Sequence, residues 1–267
     1  MREKDFAEKS LTHTLEEQAW FYNQRWAQAG GERSSLELKR VQFFRANLEH
    51  LRKRLGRLLR IVDLGCGRGL YASLAADFGH VEAVDLSSTG IESAKKNFPG
   101  PTYHVGNVFD FHTDVPKDVV ISSEVIEHVE DQAGYIFKCY QLLADNGILL
   151  LTMPNRRAAR WYWKVSSHKH IAQPLEKWLS PRQIHKLLLP YFRVEYLASC
   201  DPAYSRIGIM HVINSVKLNY VFSLIGFEGI LGRWWERIGF GLYLFIRARK
   251  HLGTQSLNRY GFDSYSR

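Results

Sequence analysis

Three alternate glycines and two acidic residues are the part of the sequence best suited to chemistry. Gly65, Gly67 and Gly69 follow a short apolar run that contains Asp63. Glycine has no Cβ, so it allows the positive φ values and the close ligand approach that such a turn requires. Asp85 ends a second apolar run, about twenty residues past the first glycine, where a carboxylate can accept hydrogen bonds from two ribose hydroxyls. The spacing predicts a site for a nucleotide-like molecule.

The spacing of the glycines separates two classes of nucleotide site. Dinucleotide-binding enzymes have G-x-G-x-x-G, which places a pyrophosphate at a helix N-terminus. Here the pattern is G-x-G-x-G, and Asp63 lies just before it. A carboxylate at that position would repel a pyrophosphate and attract the cationic ammonium and sulfonium of S-adenosylmethionine (SAM). The pattern therefore favours SAM over a nicotinamide dinucleotide.

The sequence around this loop resembles the class I SAM-dependent methyltransferases, and the resemblance covers roughly residues 40–200. Residues 61–70 resemble their first motif and residues 106–108 their adenine-contacting turn. Residues 118–124 and 142–154 resemble their fourth and fifth strands. The resemblance implies an α/β fold, with a Rossmann-like doubly wound sheet of seven strands whose seventh strand is antiparallel. It also implies SAM as the cofactor and methyl transfer as the reaction.

The resemblance also assigns the residues of the cofactor site. Asp85 corresponds to the acid that holds the ribose, and Asn107 stands where the family often has aspartate. An asparagine still offers a side-chain oxygen and an amide to adenine. The full set implied is Asp63, Gly65, Cys66, Gly67, Gly69, Asp85, Leu86, Asn107, Val108 and Ser123.

Strands and helices that would position these residues alternate between residues 61 and 153, the pattern of a parallel sheet covered by helices. Apolar residues at helical spacing precede them, with a break at Gly30 and Gly31. Ser180 and Pro181 predict a later helix start. Residues 192–199 and 243–248 are the predicted sixth and seventh strands. The predicted units are an N-terminal helical cap (1–60), a SAM-binding core (61–200), an apolar, helical, substrate-side insertion (201–241), and the last strand with a C-terminal tail (242–267).

Two carboxylates and an imidazole follow the fourth predicted strand. Glu124, Glu127 and His128 would share one face if a helix begins there. This E-x-x-E-H run resembles the ubiquinone-biosynthesis O-methyltransferases and the small-RNA 3′-end 2′-O-methyltransferases, in which such residues hold a divalent cation. The resemblance implies a Mg²⁺ or other divalent site made by these three residues and His170. A cation there could lower the pKa of the substrate oxygen.

The same residues also fit a reaction without a metal. The E-H-V sequence occurs after the fourth strand in metal-free small-molecule methyltransferases, where the histidine acts as a general base or packs beneath the substrate. We expect Glu127 and His128 to be catalytic, and the sequence leaves the metal, the base and a structural role open. Methyl transfer needs mainly alignment and exclusion of water, because the sulfonium is already an activated donor.

The composition limits the partners and the compartment. A net charge of +9 favours an anionic partner, whether nucleic acid, a phospholipid surface or an acidic substrate. Three cysteines without paired spacing predict neither a disulfide framework nor a zinc site, and no signal sequence is recognisable, so we expect a cytoplasmic protein. The longest uncharged run of the insertion, residues 218–227, is too short to span a bilayer. The insertion could instead contact a membrane surface, cover a hydrophobic substrate, or pack on the sheet edge.

The leading hypothesis is SAM-dependent methyl transfer to an oxygen of a small, hydrophobic or lipid-like acceptor, with peripheral membrane contact. RNA 2′-O-methylation is an alternative, supported by the charge and by the basic and aromatic residues of the stretch 156–169, although no recognisable RNA-binding module accompanies it. A third hypothesis is a catalytically silent subunit with the methyltransferase fold. The retained glycine loop, Asp63 and Asp85 argue against it.

Overall fold

The computed structural model describes most of the central part of the chain. The described residues are 14–28, 35–165, 173–202, 239 and 241–251. The predicted break at Gly30 and Gly31, the proposed ligand His170 and nearly all of the apolar insertion lie outside them. In the described part of the chain, no helix has the length and apolar character that a membrane span requires.

A seven-stranded sheet with the order β3-β2-β1-β4-β5-β7-β6 forms the centre of the fold. Strands β1 to β5 are parallel, and β7 pairs antiparallel with both β5 and β6. This confirms the predicted doubly wound α/β sheet and its antiparallel seventh strand. The strands are β1 (Leu59–Leu64), β2 (Gly79–Asp85), β3 (Thr102–Val105), β4 (Lys117–Ser123), β5 (Leu143–Pro154), β6 (Phe192–Pro202) and β7 (Gly241–Lys250).

Helices precede the sheet and connect its strands. At the predicted start of the last helix, the Ser180 hydroxyl accepts a hydrogen bond from the backbone of Gln183, and the Gln183 side chain accepts one from the backbone of Ser180. Pro181 occupies the first position, where a missing N–H costs nothing. The helices are α1 (Leu15–Gln28), α2 (Ser35–Leu55), α3 (Leu70–Ala76), α4 (Ser88–Asn97), α5 (Gln132–Leu142), α6 (Arg156–Val165) and α7 (Pro181–Leu188).

The core lies in two layers, one on each face of the sheet. Successive residues of a strand point to opposite faces, so Ile61 packs in one layer and Val62 in the other. Both are fully buried, as expected for a parallel sheet covered on both sides. Asp63 continues the same buried run, and a carboxylate in such surroundings needs a specific explanation.

An ion cluster fastens β1 to β4 at the end of the sheet opposite the glycine loop. Arg57 donates two hydrogen bonds of 2.8 Å to the carboxylate of Asp118, and Arg60 donates to the same carboxylate through its backbone and side chain. Burial would raise the pKa of Asp118, but the hydrogen bonds from the two arginines hold it well below its usual range. The cluster fixes the relative position of the two strands whose other ends carry the candidate site.

Candidate functional site

A cavity of about 2000 Å³ opens at the carboxyl ends of β1 and β4. The strand order reverses between these two strands, since β2 and β3 lie on one side and β5 on the other. Open α/β sheets bind ligands in the crevice at such a point. A pocket for one small ligand occupies about 300–1,000 Å³. The cavity therefore has room for a cofactor and a second molecule.

The glycine loop forms one wall of this cavity. Gly67 and Gly69 have φ values of 51° and 82°, in the left-handed region that favours glycine. A Cβ at Gly67 would lie 2.9 Å from the ring of Trp26, and one at Gly69 would lie 2.8 Å from the hydroxyl of Tyr103. Both glycines are therefore required by backbone conformation and by close packing.

Asp85 connects the glycine loop to the end of β2 and also faces the cavity. Its Oδ2 accepts a hydrogen bond of 2.7 Å from the Gly67 amide, and its Oδ1 accepts one of 2.8 Å from the Ser87 amide. Burial raises the pKa of Asp85, while these two amides act in the opposite direction. The carboxylate is held in a fixed orientation at the position expected for a ribose-binding acid.

The other residues assigned to the cofactor by sequence lie mostly on the same cavity wall. Leu86, Asn107 and Val108 line it on the side of β2, and Ser123 lines it at the end of β4. The side-chain oxygen of Asn107 accepts a hydrogen bond of 3.1 Å from the Phe109 amide, which fixes its orientation. The residues of the predicted set that line the cavity are Gly65, Cys66, Gly67, Asp85, Leu86, Asn107, Val108 and Ser123.

Asp63 lies beneath the glycine loop and is not part of the cavity wall. It is 1% exposed, and in the described part of the chain no hydrogen bond of standard geometry reaches either carboxylate oxygen. Burial, followed by the nearby carboxylate of Asp85, raises the pKa of Asp63 to about 8. Its predicted part in binding a cation stays a prediction, and any attraction would act across the loop. Such a buried and unsatisfied carboxylate fits a site that receives positive charge.

Arg40 is a cavity residue that the sequence reasoning missed. Its Nη2 lies 2.9 Å from Oε2 of Glu124, and its guanidinium lies over the ring of Tyr243 at 4.8 Å from the centroid. One signal for this position was available. Phe44 follows Arg40 by one helical turn and is fully buried, so Arg40 lies on the inward face of α2. The Arg40 and Glu124 pair presents both signs of charge to the cavity.

The helix expected to start at Glu124 is absent, and a single 3-10 turn, Ile126–His128, stands in its place. Glu124 has a φ of 58°, which is unusual for a residue with a side chain and characteristic of functional sites. Its amide donates to the carbonyl of Thr152 on β5 (2.9 Å), and its carboxylate is paired with Arg40. Without the helix, Glu124, Glu127 and His128 still line the same cavity, and the carboxylate of Glu124 is paired with Arg40.

Glu127 and His128 lie side by side on the cavity wall. Oε1 of Glu127 is 3.7 Å from Nε2 of His128, and Oε2 of Glu127 is buried without a hydrogen-bond partner in the described residues. Burial, followed by repulsion from Glu124, raises the pKa of Glu127 well above its usual range. Nδ1 of His128 lies 2.7 Å from the carbonyl oxygen of Leu175, which can only accept a hydrogen bond, so Nδ1 carries the proton. In the neutral ring this leaves Nε2 as the basic nitrogen.

The described residues do not form the predicted set of metal ligands. Among the described residues, no group of three histidine, cysteine, aspartate or glutamate side chains is placed to hold a metal ion. The carboxylate of Glu124 is directed to Arg40, and His170 lies outside the described residues. The divalent cation therefore stays a prediction.

Helix α1 covers the glycine loop and the start of α4. Oδ1 of Asn23 accepts hydrogen bonds from the Ser87 hydroxyl (2.6 Å) and the Thr89 amide (3.2 Å). Tyr22, one residue earlier, packs its ring edge against that of His128, with centroids 5.9 Å apart. The helix thus contacts both the cofactor side and the acceptor side of the cavity, and sequence reasoning identified neither Tyr22 nor Asn23.

This strand order, with a glycine loop after β1 and an acid at the end of β2, defines a Rossmann-like SAM-dependent methyltransferase. The chain belongs to the methyltransferase-domain family, whose pattern matches residues 36–200.

The relatives support this class. The chain is 32% identical over 142 residues to the ubiquinone biosynthesis O-methyltransferase of Rickettsia typhi; the match covers 49% of this chain and 58% of that protein, less than two thirds of its length. The N-methyltransferase NodS of Bradyrhizobium japonicum WM9, solved with S-adenosyl-L-homocysteine, covers 86% of this chain and 98% of its own with a TM-score of 0.55 and 14% identity. The magnesium protoporphyrin IX methyltransferase of Synechocystis PCC 6803, solved with SAM, covers 87% of this chain and 95% of its own, with a TM-score of 0.54 and 14% identity. At these identities the structures show the fold alone.

Asp63→Asn should increase the stability of the ligand-free protein, by an amount that depends on pH. Asp63 ionises near pH 8 in the folded chain and near pH ~4 in the unfolded chain. Between these values the unfolded state is favoured by losing the proton, so the cost of Asp63 to stability grows with pH until about pH 8. We expect the substitution to raise the free energy of unfolding by on the order of 5 kcal/mol at pH 8 and by little near pH 4. Denaturant titrations at several pH values measure this difference. A gain that does not change with pH, or that equals the gain from Asp114→Asn at an exposed position, would contradict it.

Proposed function

We propose that the protein transfers the methyl group of SAM to an oxygen atom of a small, hydrophobic acceptor. The observation that carries the proposal is the commitment of Nδ1 of His128 to the Leu175 carbonyl, inside a cavity with room for two molecules. A histidine held in this way is suited to remove the proton of a hydroxyl group. The name of the Rickettsia relative, an O-methyltransferase, supports the same atom type.

The cavity residues suggest how SAM would be held. Asp85 and Asn107 both line the cavity, where Asp85 would bind the ribose hydroxyls and Asn107 the adenine. Arg40 and Glu124 together match the amino-acid end of SAM, because a guanidinium binds a carboxylate and a carboxylate binds an ammonium. Asp63 adds negative charge behind the loop. When bound, SAM supplies a methyl group on a positively charged sulfur, which is already activated for transfer.

In this proposal Nε2 of His128 takes the proton of the acceptor hydroxyl as the oxygen forms its bond to the methyl carbon. The bond between that carbon and sulfur breaks, and the electron pair stays on sulfur, which becomes neutral. The resulting imidazolium lies 3.7 Å from Oε1 of Glu127, and a carboxylate there stabilises it. The protein's remaining tasks are to align the two molecules and to exclude water.

The side of the cavity nearest His128 supports an apolar acceptor. Its lining includes aromatic and aliphatic side chains from α1, from the residue after the 3-10 turn, from α6 and from the segment before α7, namely Leu15, Trp20, Phe21, Val129, Ala159 and Trp178. Trp20 and Leu15 are 65% and 50% exposed at the rim. Exposed apolar residues at the mouth of such a cavity support a lipid-like acceptor and peripheral contact with a membrane surface.

A second candidate is methylation of an RNA 2′-hydroxyl. The observation that favours it is the outward face of α6, where Arg157 and Arg160 are exposed beside the cavity wall formed by Ala159. Contacts with phosphates weaken steeply as salt rises, because fewer counterions are released. Turnover of an apolar acceptor should change little over the same range of salt.

Incubation with methyl-labelled SAM and separate lipid, RNA and protein extracts tests the proposal. We expect the label in the lipid extract, in a product that resists mild base as a methyl ether does, and at a rate that salt hardly changes. Label in RNA, lost at high salt, would establish the second candidate, and label in no extract would indicate a silent subunit. The same assay with a chelator tests the cation, since unchanged turnover would remove it from the mechanism.

Asp85→Ala should weaken SAM binding by about ten- to hundredfold, because hydrogen bonds to a charged group contribute about 1.5–3 kcal/mol. Isothermal titration calorimetry measures the affinity, and circular dichroism checks that the variant is folded. Asp114→Ala, at an exposed position away from the cavity, serves as the matched control. Unchanged affinity in a folded Asp85→Ala variant would refute the ribose assignment.

His128→Ala should reduce methyl transfer by about 10²–10⁴-fold, the usual contribution of a general base, and leave the affinity for SAM within about twofold. Single-turnover transfer and calorimetry measure the two quantities separately. His112→Ala is the control, since His112 is an exposed histidine on the loop before β4. An active His128→Ala variant would return His128 to a packing role.

A further inference from the structure

We propose that Gln132 is a positioning residue for His128, acting through residues 173–178, which we call the strap. The inference rests on the proposed function, because it concerns the nitrogen that would accept the proton. The strap lies between the described end of α6 and the start of α7 in sequence, and it crosses the 3-10 turn that carries His128.

Three hydrogen bonds attach the strap to this turn and to the residues just after it. The Leu175 carbonyl accepts from Nδ1 of His128 at 2.7 Å. The Lys177 amide donates to the Glu127 carbonyl at 2.8 Å, and Nζ of Lys177 donates to the Glu130 carbonyl at 3.3 Å. The strap is therefore the element that holds the proton-donating side of the His128 ring.

The side chain of Gln132 also links the strap to the turn. Its Nε2 donates to the carbonyl of Ile126 at 2.8 Å and to the carbonyl of Lys177 at 2.7 Å. Both acceptors are backbone oxygens, one on each segment, so a single amide group fixes the distance between them. Gln132 is the first residue of α5, and Asp131 caps that helix by accepting from the Gly134 amide at 2.8 Å. We call these two hydrogen bonds from Gln132 the clamp. The clamp is built on a helix end that its own cap holds in place.

The clamp matters because an imidazole has two neutral tautomers. The proton stays on Nδ1 of His128 only while the Leu175 carbonyl remains in place to accept it. Lys177, two residues further along, is the point at which Gln132 holds the strap. Without that hydrogen bond the carbonyl can turn away, and the ring can rotate or carry its proton on Nε2, where it can no longer accept one from a substrate.

The strap also forms part of the acceptor side of the cavity. Gln173, Glu176 and Trp178 line it, and Oε1 of Gln173 accepts a hydrogen bond of 3.2 Å from the hydroxyl of Tyr22 on α1. None of these residues belongs to the glycine loop or to the segment around Asp85. Loss of the clamp should therefore change turnover and leave the binding of SAM unaltered.

Gln132→Met tests the inference, because it removes both donors and keeps a side chain of similar length. We expect kcat to fall about tenfold with the KM for SAM unchanged within about twofold, and the acid limb of the pH profile of kcat to shift. Gln141→Met makes the same change near the other end of α5 and should leave all three quantities as they are. If the methionine variant fails to fold, Gln132→Glu, which keeps the shape and replaces donors by acceptors, should give the same loss.

Nitrogen-15 NMR of the histidine rings gives a readout that does not depend on turnover. In the unaltered protein, above the pH at which the ring titrates, His128 should carry its proton on Nδ1. In Gln132→Met it should show a mixture of tautomers. A ring that stays entirely in the Nδ1–H form in the variant would overturn the inference, even if kcat fell, because the role of Gln132 would then be structural. Failure of the proposed function would show instead in an active His128→Ala variant.

Discussion

Two buried carboxyl groups, Asp63 on β1 and Asp85 at the end of β2, constrain the structure around the cavity. Asp63 and Asp85 lie close enough for each to affect the other, and neither has a cationic side chain as a described hydrogen-bond partner. Burial disfavours the charged form of each group and raises its pKa, so the ionised pair is stabilised chiefly when positive charge comes near. The glycine loop is joined to this pair, because the Gly67 amide donates a hydrogen bond to Asp85. The two apolar layers and the arginine cluster at Asp118 provide the rigid support.

The parts of the site that come from neighbouring residues in sequence could be predicted. The loop and Asp85 are set by glycine spacing and by the end of a strand, and the structure places them on one cavity wall. The seven-stranded doubly wound sheet and the antiparallel β7 followed from the family resemblance. The role of Asp63 in cofactor binding stays a prediction, and its burial beneath the loop could not be predicted, because sequence gives the order of residues along a strand and not their depth below a surface.

The parts that were missed come from contacts between distant segments. Arg40 meets Glu124 and Tyr243 only after three separate segments pack together. The left-handed backbone of Glu124 depends on β5 accepting its amide, which no local pattern around residue 124 reveals. The same is true of Leu175, a carbonyl whose side chain gives no hint of its role. Backbone acceptors are invisible in sequence because every residue has one.

The charge of Asp63 behind the loop also bears on what happens after a methyl group has left. The donor carries a positive sulfur, whereas the spent molecule, S-adenosyl-L-homocysteine, carries a neutral one. A positive sulfur bound across the loop would favour the ionised form of Asp63, whose pKa burial raises to about 8, and a neutral sulfur would not, although ribose and adenine are the same in both. Under the proposed function, a wall that favours the charged form in this way would let fresh donor displace the spent form and would limit inhibition by product.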